Sequence, residues 1–513
     1  NDKSDKVTSR SSAASNAWVI HGQHTKTGKP ILSSDPHLDN QIPGVWLQTN
    51  IMIPDNYIHG VSFGGIPGVL IGKTKYISWG MTTFYGDTTD IYREEISKDN
   101  TTYLHDGKWL PLEAFEEEIR VKGSNEIIKH TVYATHHGPL LDVYLPKAFE
   151  HTFYKSSKHR YSLAWAGYDK EDVLESYLAL LRSKTMTDIF KFCKNFVVPS
   201  QSAVFATTEG DIAFLVTGRA PLRKHQRQGA IVKDGTLSEN DWQGFIPFEE
   251  MPHVINPTKG YIIASNNKVA TDNIKNRVSL NQWTTPRGQR INELITGLLK
   301  DGGKVDTKDM MKVQLDVVDA WARDFSPVML ELVLNRKDDY PEFRRNQNIS
   351  RIASFMKGWE GSYDKELSQP TIQAYWERNF GLLSFNSFEW DDAERSRLLK
   401  NILYDHFFFR SIRDFKKGEG LTAQWCLNYH NLDKKNNCIY NLILSLVQTH
   451  DYLVERFGPN FEDWQYKKVH NMVYSHIPFS DTPLKVIYHR EIPTGGNART
   501  INVARGVYNE DEQ

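Results

Sequence analysis

The stretch Ser15-Asn16-Ala17-Trp18-Val19-Ile20 decides how this chain is interpreted. Its apolar residues favour a short buried strand. A serine that becomes a new N-terminus carries a nucleophile and a base on one residue, because its α-amino group titrates at about pH 8. Such a residue can split an amide without a separate Ser-His-Asp triad. Fourteen residues precede Ser15, so the sequence predicts that activity depends on cleavage of the Ala14–Ser15 bond.

Composition and charge narrow the class of protein. The 513 residues carry 62 basic and 63 acidic side chains, which gives a formal net charge of -1. A near-neutral balance argues against a nucleic-acid or anionic-membrane partner, which would favour a basic surface. No run of about 18 apolar residues is present, so no transmembrane helix is expected. Three cysteines exclude a disulfide-rich small-domain framework.

Strand patterns come first along the chain and helical patterns follow. Two hairpins are predicted, one around the turn at 122–125 and one around the turn at 208–211. Strands with helices between and behind them predict an α+β fold with layered sheets. The helical patterns cover residues 173–181, 187–196, 287–299, 307–314, 317–334, 372–380, 395–408 and 437–456.

Two further motifs could carry chemistry. Gly60-Val61-Ser62-Phe63-Gly64 matches the nucleophile elbow of α/β-hydrolases, which needs a strand before the serine and a helix after it. Gly65-Ile66-Pro67-Gly68 follows and cannot form a regular helix interior, so a glycine-rich turn is favoured. His136 and His137, as neighbours on a strand, would point to opposite faces. We therefore expect structural histidines there, not two ligands of one metal.

The acidic residues after Gly86 offer hard oxygen ligands. Asp87, Asp90 and the backbone at Thr89 between them could hold a hard cation through oxygen atoms. A polar turn explains the same two acids. On the residues alone, the turn is favoured and a calcium site is the alternative.

Many short segments, in their order along the chain, resemble the penicillin acylase family of N-terminal nucleophile hydrolases, which includes penicillin amidases and acyl-homoserine-lactone acylases. Each segment is a weak signal alone, but the ordered set is highly specific and covers Ser15 to about Val507. The segments are Ser15-Asn16-Ala17-Trp18-Val19, Asp35-Pro36-His37-Leu38, Gly65-Ile66-Pro67-Gly68, Ser78-Trp79-Gly80-Met81-Thr82, Gly86-Asp87-Thr88-Thr89-Asp90, His137-Gly138-Pro139, Gly218-Arg219-Ala220-Pro221, Gly260-Tyr261, Asn266-Asn267, Arg287, Arg290-Ile291, Trp464, His470, Gly495-Gly496 and Thr500-Ile501-Asn502-Val503-Ala504.

The resemblance implies an α+β fold of the four-layer αββα type and a precursor that is cut autocatalytically into an α chain and a β chain. Residues 1–14 would be a spacer or leader remnant, and residues 15–513 a β-chain-like amidohydrolase domain lacking the α chain and the C-terminal end. The implied partners are that α chain and a small N-acyl amide substrate. The implied location is periplasmic or secreted. No cofactor is implied for catalysis, but a structural calcium at Asp87, Thr89 and Asp90 is.

The resemblance also assigns the reacting groups. Ser15 would attack the amide carbonyl, and its own α-amine would accept the hydroxyl proton and later protonate the leaving amine. The backbone N–H of Thr83 and the side-chain amide of Asn266 would form the oxyanion hole.

Supporting positions follow from the same resemblance. His37 would hydrogen-bond near Ser15, and Arg290 would support the site electrostatically. Leu38, Ile71 and Met81 match positions that line the acyl pocket, and their aliphatic character favours an acyl chain over a phenyl ring.

Two rival functions stay open at this point. An α/β-hydrolase esterase would use Ser62 as its nucleophile. A non-catalytic subunit or scaffold would keep the fold without the reaction, and a chain that still begins at Asn1 has no free α-amine on Ser15.

Overall fold

The computed structural model describes residues 14–141, 159–168, 173–225, 229, 231–270, 274–279, 285–384, 438–505 and 507–508. The helix expected over 395–408 and most of the predicted spacer lie outside these residues. The described strands are β1 (Ala14–Ile20), β2 (Ile31–His37), β3 (Gln41–Ile42), β4 (Trp46–Ile53), β5 (Asn56–Phe63), β6 (Ile71–Thr74), β7 (Ile77–Thr83), β8 (Thr89–Glu95), β9 (Thr102–His105), β10 (Lys108–Pro111), β11 (Glu113–Arg120), β12 (Ile127–Thr135), β13 (Gly138–Pro139), β14 (His159–Trp165), β15 (Gln201–Thr207), β16 (Ile212–Thr217), β17 (Lys233–Asp234), β18 (His253–Ile255), β19 (Tyr261–Ala264), β20 (His470–His476), β21 (Arg490–Pro493) and β22 (Val507–Tyr508).

Two of the described α-helices lie between residues 173 and 195, and the others lie after residue 285. The described α-helices are α1 (Val173–Arg182), α2 (Met186–Asn195), α3 (Pro286–Leu299), α4 (Thr307–Gln314), α5 (Ala320–Arg336), α6 (Pro341–Arg344), α7 (Gln347–Met356), α8 (Gln369–Ser384), α9 (Cys438–Phe457) and α10 (Lys485–Tyr488). Within the described ranges, no helix is both long enough and apolar enough to cross a bilayer.

Two antiparallel sheets form the centre of the fold. One has the strand order β19-β1-β2, and the other has the order β18-β16-β15-β7-β6-β5-β4. Strand β1 is buried at all seven positions, because it is the middle strand of a sheet covered on both faces. Ala14, which the sequence assigned to the spacer, is already part of this strand and pairs with His37.

The side chains of β1 alternate between two apolar layers. Ala17 and Val19 join residues of β15 and β16 in a cluster between the two sheets. Trp18 and Ile20 point the other way and pack on α3 and α4. The sheets approach closely at Gly80, where an added Cβ would lie 2.8 Å from the Cβ of Ser34.

The outer face of the seven-stranded sheet is covered by α1 and α2. Trp79 and Phe205 pack there against Leu180 of α1 and Phe192 of α2. The order of layers is therefore helix, sheet, sheet, helix, as predicted. A further apolar cluster joins α5, α7, α8 and α9 beside these layers.

Candidate active site

Ser15 is the second residue of strand β1 in the inner sheet, and 5% of its surface is exposed. Its hydroxyl donates to the carbonyl oxygen of Ala14 at 2.5 Å. Its backbone N–H donates to Oδ1 of Asn266 at 2.7 Å. The hydroxyl oxygen therefore lies beside the carbonyl group of the Ala14–Ser15 peptide bond.

Asn266 connects the two sheets at this point. It follows β19 and has a left-handed backbone with φ 61°, a conformation that asparagine tolerates better than most residues. Its Nδ2 donates to the carbonyl oxygen of Thr83 at 2.9 Å, at the end of β7. Because Oδ1 faces donors and Nδ2 faces a carbonyl, the contacts define the orientation of the amide.

Arg287 is a buried cation that contacts Ser15 directly. One of its guanidinium nitrogens, Nη1, donates to the carbonyl oxygen of Ser15 at 2.7 Å and also contacts Oδ1 of Asn16. Nη2 donates to Oδ1 of Asn266 at 3.0 Å. Burial, with the nearby charge of Arg505, lowers the pKa of Arg287 to about 10, so the group stays charged at neutral pH.

The start of α3 positions Arg287. Thr285 caps the helix by accepting a hydrogen bond from the N–H of Gly288, and Pro286 follows at the first helical position. The Thr285 hydroxyl also lies 2.9 Å from that of Ser265, the residue before Asn266. A Cβ at Gly288 would lie 2.6 Å from the Ser265 hydroxyl oxygen. The helix terminus and the end of β19 therefore hold Arg287 and Asn266 together.

His37 lies on β2, opposite Ala14. Its Nε2 lies 2.7 Å from Oδ2 of Asp35. Burial lowers the pKa of His37, and the positive charges of Arg287 and Arg505 act in the same direction, although Asp35 opposes them. The ring is therefore in its neutral form at neutral pH.

The remaining predicted site residues have different surroundings. Arg290 contacts Asp316 through Nη2 at 2.8 Å, and its Nη1 lies 3.6 Å from Glu293. The structure thus brings Arg287, and not Arg290, to Ser15. Ile71 and Met81 belong to the cluster under α1 and α2, and Leu38 is half-buried just after β2.

The choice between Arg287 and Arg290 was beyond the sequence signal. Both residues lie in the first turns of α3, and three residues correspond to about 300° of helical rotation. Their directions therefore differ by only about 60°. An N-cap at Thr285 followed by Pro286 was the available sequence clue that Arg287 lies in the first turn of the helix.

Asp87 and Asp90 are buried and face two cations. Nη1 of Arg223 lies 3.0 Å from Oδ2 of Asp87, and its Nε lies 2.9 Å from Oδ2 of Asp90. Lys233 contacts the same oxygen of Asp90 at 2.6 Å. Two positive charges already balance the two carboxylates, so a calcium ion here would add two charges beside buried cations. These residues do not fit the calcium ion that the resemblance implies.

Ser62 has the wrong context for a nucleophile elbow. It lies in β5 with 2% of its surface exposed, and it pairs with Leu47 of β4. After a turn, the chain continues into strand β6 instead of a helix. The elbow arrangement is therefore absent at Ser62.

The sequence predicted that His136 and His137 are neighbours on a strand and point to opposite faces. The structure differs. They lie in the turn between β12 and β13, and their ring centroids are 3.8 Å apart. The turn lets both rings lie on one side, so the argument from strand alternation was wrong here.

A cavity of about 570 Å³ is lined by Tyr261, His24 and residues of α3. Tyr261 pairs with Ile20 at the far end of β1 from Ser15. This cavity therefore does not serve the Ser15 cluster.

The layers and their connections define the fold of N-terminal nucleophile hydrolases. A thermostable penicillin G acylase from Alcaligenes faecalis, solved in an orthorhombic form, is similar with a TM-score of 0.69 and 16% identity. The match covers 94% of this chain and 86% of that one.

The sequence comparison then gives the family: the penicillin amidase family matches residues 2–513, and the chain belongs to it. The acyl-homoserine lactone acylase QuiP of Pseudomonas aeruginosa is 32% identical over 309 residues, which are 59% of this chain and 36% of that protein. The penicillin G acylase of Escherichia coli is 29% identical over 259 residues, 50% of this chain and 29% of that protein. The chain thus spans about a third of the length of these relatives.

Proposed function

We propose that this protein hydrolyses the amide bond of small N-acyl compounds, with Ser15 as an autocatalytically exposed N-terminal nucleophile. The observation that carries the proposal is the cluster in which Ser15, Asn266 and buried Arg287 hydrogen-bond to one another. Penicillin amidase family membership supports an amide as the bond that is split.

The first step exposes the base. The Ser15 hydroxyl oxygen bonds to the carbonyl carbon of Ala14. The bond between that carbon and the Ser15 nitrogen breaks, and the departing amine takes the hydroxyl proton. Water then hydrolyses the resulting ester and releases the Ala14 carboxylate. The 2.5 Å contact between Oγ and the Ala14 oxygen supports this route, because attack needs the two groups in contact.

Turnover repeats the chemistry on a substrate. Oγ of Ser15 forms an acyl ester with the substrate carbonyl, and the α-amine accepts the hydroxyl proton and gives it to the leaving amine. Water then hydrolyses the ester. The Arg287 guanidinium, bonded to the Ser15 carbonyl oxygen, would favour the neutral α-amine, since a nearby cation disfavours an ammonium group.

The N–H of Thr83 and Nδ2 of Asn266 are the proposed oxyanion donors. Nδ2 donates one hydrogen to the Thr83 carbonyl oxygen, and its second hydrogen would donate to the substrate oxyanion. Each such donor is worth roughly 3 to 4 kcal/mol of transition-state stabilisation. His37 would hold the strand next to Ser15 through its contact with Asp35.

We also propose a class of substrate and a second chain that completes the enzyme. Ile71 and Met81, with Leu38, would line an acyl pocket of aliphatic character, which suits an N-acyl homoserine lactone or another aliphatic N-acyl amine. An α chain from the same precursor would complete the pocket, and the protein would act in the periplasm or outside the cell. Calcium takes no part in the proposed reaction, because Arg223 and Lys233 already neutralise Asp87 and Asp90.

The test is hydrolysis of N-acyl homoserine lactones of increasing acyl length by the native protein and two serine variants. Ser15→Ala should lose activity by more than about 10⁴-fold, because it removes the nucleophile. Ser62→Ala is the matched control and should keep its activity, since Ser62 is buried in β5. Activity retained by Ser15→Ala would overturn the proposal, and loss in Ser62→Ala alone would favour the esterase reading.

A further inference from the structure

Three potential metal ligands converge at a position remote from Ser15 in the topology. They are His105 at the end of β9, His136 in the turn after β12, and Asp241. Each offers one ligand atom, and these atoms all lie within 4.8 Å of one another. Nε2 of His105 lies 3.4 Å from Oδ2 of Asp241, and Nε2 of His136 lies 3.5 Å from the same oxygen.

These separations suit a shared ion better than direct hydrogen bonds. A strong N–H···O bond spans about 2.7 to 3.2 Å. Two ligands at about 2.0 to 2.1 Å from one tetrahedral ion lie about 3.3 Å apart. The two separations from the aspartate oxygen are close to the second value.

Hydrogen bonds to Nδ1 of both histidines orient each ring so that its Nε2 faces Asp241. Nδ1 of His105 lies 3.0 Å from the carbonyl oxygen of Gly235, which can only accept, so this nitrogen carries the proton and Nε2 has the lone pair. Nδ1 of His136 lies 3.0 Å from the Tyr103 hydroxyl. Metal-binding histidines usually have such a partner on their second nitrogen.

Asp241 is held in the same way. Its Oδ1 lies 2.9 Å from Nε2 of His137, whose Nδ1 lies 2.8 Å from Oε1 of Glu94. The ring of His137 in turn stacks on Tyr92 with 3.7 Å between centroids. Oδ1 is thus occupied, and Oδ2 is the oxygen that faces His105 and His136.

We propose that His105, His136 and Asp241 bind a divalent transition-metal ion such as Zn²⁺. Two imidazoles and one carboxylate are ligands that suit Zn²⁺ and its neighbours in the first row, and they suit calcium poorly. The exposed side-chain fractions of 36% for His136 and 27% for Asp241 give the ion a path from solvent and leave room for a water ligand. A bound ion would tie the β9–β10 hairpin to the turn after β12 and to the segment at 241.

The test is titration of the metal-free native protein with Zn²⁺, followed by calorimetry, with Co²⁺ absorption as a second measurement. We expect saturable binding of one ion, a visible Co²⁺ spectrum that Zn²⁺ abolishes, and no competition by Ca²⁺. Asp241→Asn and His136→Gln should each weaken Zn²⁺ binding more than about tenfold. Asp241→Asn keeps an acceptor for His137, which protects the fold of that variant.

His130→Ala is the matched control, because His130 lies on β12 outside the cluster. It should bind Zn²⁺ like the native protein. Absence of saturable Zn²⁺ binding and of a Co²⁺ spectrum in the native protein would overturn the proposal. Equal affinity in Asp241→Asn, His136→Gln and His130→Ala would also overturn it, since the ion would then bind elsewhere.

Discussion

Two arginines on one helix have very different surroundings. Arg287 donates to Ser15 and Asn266 from a fully buried position, whereas Arg290 pairs with Asp316 near the surface. Buried hydrogen bonds to a charged group are worth about 1.5 to 3 kcal/mol each, and a partly exposed ion pair is worth about 0 to 1 kcal/mol. The contribution to the site should therefore come from Arg287.

We predict that Arg287→Gln slows cleavage of the Ala14–Ser15 bond by about 10- to 100-fold. It removes charge-assisted bonds to the Ser15 carbonyl oxygen and to Oδ1 of Asn266, which accepts from the N–H of the bond that is cleaved. Arg290→Gln should change the rate by less than about fivefold. Intact mass against time measures both rates, and circular dichroism checks that each variant is folded. Equal effects of the two substitutions would contradict the assignment of Arg287.

His37 makes folding depend on pH. Its pKa is lowered in the folded protein, so between that value and the unfolded value of about 6.5 the unfolded chain binds more protons. The unfolding free energy should therefore fall as the pH falls below about 6.5, and level off below the folded pKa.

We predict that His37→Gln shows a weaker loss of stability than the native protein between pH 7.5 and pH 5. Urea unfolding at several pH values measures the difference. His136 and His470 also have pKa values lowered mainly by burial, but they are present in both proteins and cancel in the comparison. Parallel pH curves would show that His37 does not titrate as described.

At the scale of elements, the cap of α3 supports both stability and the site. Thr285 caps the helix and contacts Ser265. Asp306 caps α4 by accepting from the N–H groups of Lys308 and Asp309, but it has no contact with the Ser15 cluster among the described residues. Substitutions at the two caps can therefore distinguish an effect on helix stability from an effect on the geometry of the site.

We predict that Thr285→Ala and Asp306→Ala each lower the unfolding free energy by about 1 kcal/mol, the usual value of a lost N-cap. Thr285→Ala should in addition slow Ala14–Ser15 cleavage, because Arg287 and Asn266 lose a shared support. Asp306→Ala should cleave at the native rate. Urea unfolding and intact mass give the two quantities, and native cleavage by Thr285→Ala would refute the link.

Several elements could be predicted from local pattern alone. The hairpin around 208–211 is confirmed, with Ala203 paired to Leu215, because apolar runs flank a Gly-containing turn. The hairpin around 122–125 is confirmed as β11 and β12. The helix expected from 317 begins at Ala320, because the side chain of Asp319 caps it. Caps fix such boundaries, and hydrophobic periodicity does not reveal them.

At the scale of the whole molecule, the order of the motifs predicted the four layers and the family, and both are confirmed. Contacts between distant segments could not be predicted. Nδ2 of Asn16 donates to the carbonyl oxygen of Ile501 at 2.9 Å across 485 residues. Nearby, Arg499 joins Asp319 at 2.6 Å and Glu377 at 2.8 Å. Local patterns carry no information on which distant residues meet. The contacts that join β1 to the helical region could therefore be identified only from the structure.

Cleavage of the Ala14–Ser15 bond can be measured by N-terminal sequencing and intact mass of the native protein. We predict a native chain that begins at Ser15, with the preceding segment released, and a Ser15→Ala variant in which the bond stays intact. A native protein that hydrolyses N-acyl amides while Ser15 remains joined to Ala14 would contradict the proposed mechanism, as would a Ser15→Ala variant cleaved at the native rate.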